Sequence, residues 1–95
     1  MIPVLQKYPT EIRTASFSFV EKLAPGDTLS GAITITASAG LTLIGPTVDV
    51  ATATATVHVS GGAAGQDYEV RCEAPTTGGD LLREVVAIEV RDDAN

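Results

Sequence analysis

The sequence predicts an all-β protein, built as an antiparallel sandwich or small barrel of about six or seven strands. Valine, isoleucine and threonine are abundant, and β-branched residues suit a pleated sheet better than a helix. Apolar and polar residues alternate with a period of two in segment after segment, which is the period of a strand. Turn-forming glycine and proline residues separate these segments, so layered sheets are favoured over βαβ units.

The first two predicted strands flank a turn at residues 24–27. From Thr14 onward, Ala15 and Phe17 fall on one face of a strand, while serines fall on the other. The turn sequence APGD contains a proline that sets φ and a glycine that tolerates positive φ. The following segment, SGAITITAS, places Ile33 and Ile35 inward and predicts the second strand.

The middle of the chain carries a break and then the most regular alternation. Gly45 and Pro46 interrupt the strand that starts at Leu41, and a proline there indicates an edge strand or a bulge. Residues 51–60, ATATATVHVS, follow a strict period of two and predict one continuous strand. Its alanines and valines form one face and its threonines, His58 and Ser60 form the other.

The last two strands are predicted at DYEVRCEA and LLREVVAIEVR, joined by a PTTGGD turn. Tyr68, Val70 and Cys72 point inward in the first of these strands. Glu84 falls in the inward phase of the second, which indicates a strand start at the mouth of the core or a bulge. The polar outer faces predict sheets that are antiparallel and wet on one side.

We divide the chain into an extended N-terminal arm (1–12), a β-sandwich domain (13–91) and a short acidic tail (92–95). Two prolines and the absence of any period predict that the arm is extended. Its apolar residues Ile2, Val4 and Leu5, together with Tyr8, are too many for a freely solvated tail. The arm either packs on its own domain as an edge segment or reaches onto a neighbouring subunit.

Composition limits the possible partners and the compartment. A net charge of −6 argues against binding a nucleic-acid backbone. One cysteine cannot form an intrachain disulfide, and the chain shows neither a long apolar span nor a secretory leader pattern. With 44% hydrophobic residues, the chain is expected to fold as one acidic domain in a reducing cytosol, without binding a membrane.

We expect no catalytic, cofactor-binding or metal-binding residues, and therefore no enzymatic activity. His58 is the only histidine and has no nucleophile motif near it. Cys72 shares an apolar strand face and is expected to pack in the core as an unreactive thiol. The acidic residues are scattered rather than arranged as a calcium loop; Asp67 and Asp80 could meet at one end of the sandwich, but turn formation explains them better. Gly61-Gly62 and Gly78-Gly79 are interpreted as turns.

The Ala/Thr strand carries the second candidate interface, formed by Thr52, Thr54, Thr56 and His58. Its side chains are small on both faces, so another sheet can approach closely. The strand either pairs within the domain or presents a flat face to another subunit. If it lies at a sheet edge, its unpaired amides invite strand addition.

The stretch from Ala63 to Asp92 resembles the tyrosine corner of immunoglobulin-like and fibronectin type III sandwiches. A glycine-containing corner precedes Tyr68, which begins the penultimate strand, and a hairpin leads into the last strand. The resemblance implies that the Tyr68 hydroxyl bonds to the chain just upstream. Cys72 has no cysteine partner at Ile33 or Ile35 and there is no tryptophan, so the antibody-type core is not implied.

A wider resemblance runs from Lys7 to about Asp92. The resemblance lies in the order of six sequence features along the chain. They are an aromatic first strand, a GDTL turn, GLT, a strand ending in VSGG, GQDYEV and a TTGG hairpin. This order is similar to that of short standalone proteins encoded among the virion genes of tailed bacteriophages, commonly described as fibre–tail adaptors or other virion structural proteins.

The resemblance implies a virion location and a non-enzymatic connector that joins tail and fibre through subunit contacts in multiple copies. Its partners would be tail, fibre or capsid proteins. Two alternatives stay open: a capsid decoration (cement) protein, and an immunoglobulin-like module that recognises a soluble ligand.

Overall fold

The structure, a computed structural model, describes residues 3–91 and consists of two β-sheets. Seven strands follow one another along the chain, with one turn of 3₁₀ helix at Val20–Lys22. The strands are β1 (Val4–Lys7), β2 (Arg13–Ser18), β3 (Thr34–Ala37), β4 (Leu41–Asp49), β5 (Thr54–Gly61), β6 (Asp67–Pro75) and β7 (Leu81–Val90).

The two sheets have the strand orders β1-β7-β6-β3 and β2-β5-β4. Neighbouring strands are antiparallel except β1 and β7, which run parallel with Val4 opposite Ala87. The sheets approach each other most closely where β2 meets β7 and where β3 meets β4. Strand β5 is therefore central in its sheet, and β6 and β7 are central in the other.

The core lies between the sheets and is filled by the inward side chains of the alternating strands. The chain has only four aromatic residues, and both phenylalanines are buried there. Small and β-branched residues fill the rest, as the composition predicts. The buried hydrophobic residues are Ala15, Phe17, Phe19, Leu29, Ala53, Ala55, Val57, Val59, Val70, Cys72, Ala74, Val86, Ile88 and Val90.

The all-β class and the two-sheet arrangement are confirmed, but two expectations are corrected. Residues Val4–Lys7 form the edge strand of the four-stranded sheet, which is the edge-segment alternative stated for the arm, but their parallel pairing departs from an all-antiparallel plan. The predicted strand at 51–60 begins only at Thr54, because Val50–Ala53 turn the chain from β4 into β5. Ala53 has φ of 53°, and its amide donates to the Val50 carbonyl at 3.2 Å.

Two local expectations agree with the structure. Strand β4 lies at an edge, and its register with β5 shifts between Ile44 and Thr47, where Gly45 and Pro46 stand. Glu84 points inward at the mouth of the core, where its carboxylate pairs with the Lys22 ammonium at 2.5 Å. A bulge at Glu84 is excluded because the β6–β7 register is continuous. Residues 3–91 contain no helix with the length and apolarity that a membrane crossing requires.

Candidate interaction surface

The outer side of the β2-β5-β4 sheet is covered by small hydroxyl side chains, and we call it the hydroxyl face. Its side chains alternate with the buried ones along each strand. The register aligns them in rows across the three strands, with His58 between Thr14 and Ile44 in one row. The face consists of Thr14, Ser16, Ser18, Thr42, Ile44, Thr47, Asp49, Thr54, Thr56, His58 and Ser60.

Hydrogen bonds across the strands order this face. The hydroxyl oxygens of Thr47 and Thr56 lie 2.7 Å apart, and Thr14 Oγ1 lies 3.1 Å from Nδ1 of His58. Cross-strand pairs of this kind hold side chains in fixed rotamers and stabilise the sheet. These contacts fix four side chains of the hydroxyl face, and only Asp49 carries a charge on it.

The outer side of the other sheet has the opposite chemistry. Four acidic and two basic side chains lie there along β6 and β7, and we call it the charged face. Its central charged residues are Asp67, Glu69, Arg71, Glu73, Arg83 and Glu89. Burying such groups against a partner requires desolvation of each charge, whereas hydroxyls demand much less. The two sides of the molecule thus differ in their suitability for a close protein contact.

The structure separates the predicted interface residues into two groups. Thr54, Thr56 and His58 lie together on the hydroxyl face, while Thr52 lies in the exposed turn that precedes β5. Because β5 has a neighbour on each side, it offers no free edge, so it pairs within the domain and the condition stated for strand addition at this strand is not met.

The N-terminal group lies along the edge of the other sheet. Val4 and Tyr8 are 54% and 46% exposed, but Leu5 packs against the core. Ile2 lies outside the described residues.

Lys7 is a buried residue that the sequence analysis missed. Its side chain is 1% exposed, and its ammonium donates to the carbonyl oxygens of Gly61 at 2.7 Å and Tyr8 at 2.8 Å. The contact with Gly61 ties β1 to the end of β5, so it links the two sheets. Alternation within VLQK was the available signal, since Leu5 and Lys7 share one strand face.

The corner before β6 is organised around Tyr68. Its hydroxyl oxygen accepts a hydrogen bond from the amide of Ala63 at 2.9 Å, five residues upstream. The ring lies so close to Gly40 and Gly62 that a Cβ at those positions would come within 3.1 and 3.2 Å of ring carbons. Both glycines also have positive φ, so the sequence there suits this backbone path.

Cys72 is fully buried in the core between the sheets. Burial raises the pKa of its thiol to about 11, and the carboxylate of Glu73 adds to the rise. The thiolate, which is the nucleophilic form, is therefore a minor species at neutral pH. The residue packs as a small hydrophobe.

Asp27 connects two loops at one end of the sandwich. Its Oδ1 accepts hydrogen bonds from the Thr77 hydroxyl at 2.9 Å and from the amides of Thr28 and Gly78 at 2.8 and 2.9 Å. The Thr76 and Thr77 side chains, followed by these two amides, hold the pKa of Asp27 below its usual value. This carboxylate thus has a structural role in joining the 24–28 turn to the β6–β7 hairpin.

The metal-ligating and titratable side chains that the sequence analysis considered lie apart from one another in residues 3–91. Residues 3–91 contain no cluster of three or more histidine, cysteine or acidic side chains that could hold a metal ion. Asp67 starts β6 and Asp80 precedes β7, so the antiparallel pairing places them at opposite ends of the sheet and they do not meet. The nearest polar partner of His58 is a threonine hydroxyl.

The model of one protein family matches residues 7–89, which is most of the chain. That family is described as the podophage GP4 fiber-tail adaptor protein gp77. The chain belongs to this family. The match spans β2 to β6 and nearly all of β7, but it begins at the last residue of β1. Comparisons with curated proteins and with solved structures give no match.

Membership in the Gp77 family makes the chain a small phage structural adaptor, as the sequence resemblance implied. Its relatives are named for a junction in a virion, which implies contacts with other virion proteins. The matched segment contains the whole β2-β5-β4 sheet and most of the other sheet, whose edge strand β1 lies outside it except for Lys7.

Proposed function

We propose that this chain joins the phage tail to its fibre as a passive, non-enzymatic connector. The family match over residues 7–89 carries the proposal. The connector works by burying surface against its neighbours, and several copies in one particle turn a small contact per chain into a stable junction. Its place of action is the virion, assembled in the host cytoplasm.

We further propose that the domain is immunoglobulin-like. In such sandwiches strands B, E and D form one sheet while C, F and G belong to the other. The order β2-β5-β4 fits B-E-D, and the order β7-β6-β3 fits G-F-C. The hydrogen bond from the Ala63 amide to the Tyr68 hydroxyl supports the same assignment.

The hydroxyl face is the proposed docking surface for a virion protein. Its serine and threonine side chains lose little rotamer entropy on burial, and only one carboxylate on it must be desolvated. The exposed side chains of Val4 and Tyr8 on the edge of the other sheet provide a second contact. Two contacts on different sheets suit a connector, because each can hold a different neighbour.

Particles assembled without this chain test the adaptor role directly. We expect tails that are complete in other respects but lack fibres, as seen by electron microscopy and by the protein content of purified particles. Loss of capsid stability with fibres still attached would instead identify a capsid decoration protein. Complete particles, together with glycan binding by the isolated domain, would identify a ligand-recognition module.

A charge placed on the hydroxyl face tests the docking surface. Thr56→Glu introduces a carboxylate in the middle of the face and should prevent incorporation into particles. Thr36→Glu is the matched control, because Thr36 is exposed on the outside of the other sheet, opposite Arg71. Melting temperatures verify that both variants fold. Thr42→Glu is a second test variant, because Thr42 is an exposed residue of the hydroxyl face. Equal incorporation of all variants would contradict this docking surface.

A further inference from the structure

Four strands lie at the outer edges of the two sheets, and they differ in how well they resist pairing with another chain. Proteins protect such edges by keeping them short or by placing bulges and prolines in them. Strands β1 and β3 have four residues each, and β4 contains the Gly45-Pro46 bulge. Strand β2 has six residues, no proline and no register shift. It is the least protected edge among the described strands.

The hydrogen bonds between β2 and β5 show which backbone N–H and C=O groups of β2 are left free. The amide of Phe19 donates to the Ala53 carbonyl at 2.8 Å, and these two residues continue the β2–β5 register. In an antiparallel pair, residues that exchange hydrogen bonds alternate with residues whose N–H and C=O groups point away. The outward groups of β2 therefore belong to Thr14, Ser16 and Ser18.

The space beside β2 has room for one strand. Strand β7 packs against β2, and β1 lies on the far side of β7, so β1 projects past the β2 edge by about one strand spacing. A groove of about 150 Å³ lies between them, lined by Pro3, Val4, Leu5, Thr14, Ala15, Ser16 and Val86. Because β1 projects past β2, it hinders the approach of a second folded sandwich to the β2 edge. A single extended segment needs only the space beside β2 and over β1.

The side chains that line the groove indicate what kind of segment can bind there. The apolar wall of the groove comes mainly from the partly buried Leu5 and the exposed Val4, with the buried Ala15 and Val86 at its base, and alternate side chains of an incoming strand can contact it. Arg13 is the only charged residue of β2, is exposed, and uses one N–H to bond the Gln6 carbonyl at 3.0 Å. Both ion pairs found within residues 3–91 are formed by other side chains. An antiparallel strand brings its C-terminal end beside Arg13, where a carboxylate is the complementary group.

We propose that β2 binds, by antiparallel strand addition, an extended segment of a partner virion protein. The segment is uncharged along its length, carries apolar side chains at alternate positions, and ends in a carboxylate beside Arg13. The identity of the partner as a virion protein rests on the adaptor role proposed above, whereas the binding edge follows from the fold. The added strand would enlarge the hydroxyl face by one strand.

Amide hydrogen exchange measured by NMR tests the proposal on the isolated protein. The probe is an eight-residue peptide of alternating valine and threonine with a free C-terminal aspartate. We expect the amides of Thr14, Ser16 and Ser18 to exchange fast in the free protein and about tenfold or more slowly with saturating peptide. The amides of Ala15 and Phe17 already face β5 and should not change. No protection, or protection that does not alternate along β2, overturns the proposal.

Two substitutions sharpen the test. Ser16→Pro removes the central outward N–H and should abolish peptide binding, while Ser16→Thr retains that N–H and should bind normally. Arg13→Gln should weaken binding about two- to fivefold, and an amidated peptide ending in asparagine should lose this dependence. Equal binding by Ser16→Pro and Ser16→Thr, both shown to be folded, would contradict strand addition. The hydrogen-exchange test on the wild-type protein remains decisive even if a variant does not fold.

The outcomes separate this inference from the adaptor role. Alternating protection together with fibres that persist on particles lacking the chain would support the strand site and refute the adaptor role. Fibreless particles together with an absence of alternating protection would support the adaptor role and refute the strand site. Protection of the same three amides by the protein alone, rising with its concentration, would make a second copy the occupant and overturn the proposed partner.

Discussion

Replacing Tyr68 with phenylalanine removes one hydroxyl and leaves the rest of the corner in place. The ring is held between Gly40 and Gly62, so the smaller side chain is expected to keep the same position. What is lost is the hydrogen bond that the hydroxyl oxygen accepts from the Ala63 amide at 2.9 Å. The corner that precedes β6 then has one fewer contact to its loop.

The size of the effect follows from the exposure of that bond. A neutral hydrogen bond contributes about 0.5–1.5 kcal/mol, and an unsatisfied buried partner costs more. Ala63 is exposed, so water can replace part of the lost contact. We therefore expect the free energy of unfolding to fall by about 1 kcal/mol. For a domain of this size, that corresponds to a melting temperature lower by about 4–8 °C.

Urea denaturation of the wild type and Tyr68→Phe measures this change, with an unaltered m-value indicating that only stability has changed. Tyr8→Phe is the matched control, because the Tyr8 hydroxyl makes no hydrogen bond within residues 3–91 and the residue is 46% exposed. Its stability should change by less than about 0.5 kcal/mol. In Tyr68→Phe the Ala63 amide should also exchange faster. An unchanged midpoint with unchanged Ala63 exchange would contradict a stabilising role of the Ala63–Tyr68 hydrogen bond.

Three further predictions concern other contacts. Lys7→Met keeps the buried stem but leaves the Gly61 carbonyl without its 2.7 Å donor, so unfolding should require about 1–2 kcal/mol less. The half-exposed Lys22, changed to methionine, should alter stability by less than about 1 kcal/mol, and equal effects at both lysines would contradict a stabilising role of the Lys7–Gly61 contact. Because the pKa of Asp27 is lowered in the folded state, its ionised form stabilises the fold above the unfolded pKa. The wild type should therefore be more stable than Asp27→Asn at neutral pH, and this difference should shrink as pH falls below about 4. Denaturation at several pH values measures it, and a difference that stays constant would exclude stabilisation by the ionised carboxylate. Native protein at pH 7.5 should leave Cys72 unlabelled by a thiol reagent that modifies it in urea, and rapid native labelling would show that the thiol is accessible.

Much of the strand layout could be predicted from the pattern of side chains. Phe17 and Val57 were correctly placed inward because strict alternation assigns each residue to one face. Pro46 correctly indicated an edge strand with a bulge, since proline cannot donate to a ladder. The burial of Cys72 follows from the same alternation, whereas the upstream contact of Tyr68 was implied by the resemblance to a tyrosine corner.

The misses have a common physical cause, which is that alternation describes a strand but not its neighbours. Ala53 reverses the chain without a glycine or proline, so the pattern of 51–60 continues through a turn that it cannot reveal. The burial of Lys7 was not predicted, because its ammonium is held by carbonyl oxygens and one of them lies 54 residues away. The hydroxyl face could be predicted only in its β5 part, because β2 and β4 reach it through long-range pairing.

The sequence by itself determined that this chain forms half-buried strands, where the turns between most of them fall, and which family of virion proteins it resembles. These are local properties, decided by residues within a few positions of one another. Only the tertiary structure decided that β5 is central and that β2 is the open edge beside a projecting β1. Strand order is decided by which hydrophobic faces pack together across long sequence separations, and no local pattern records that choice.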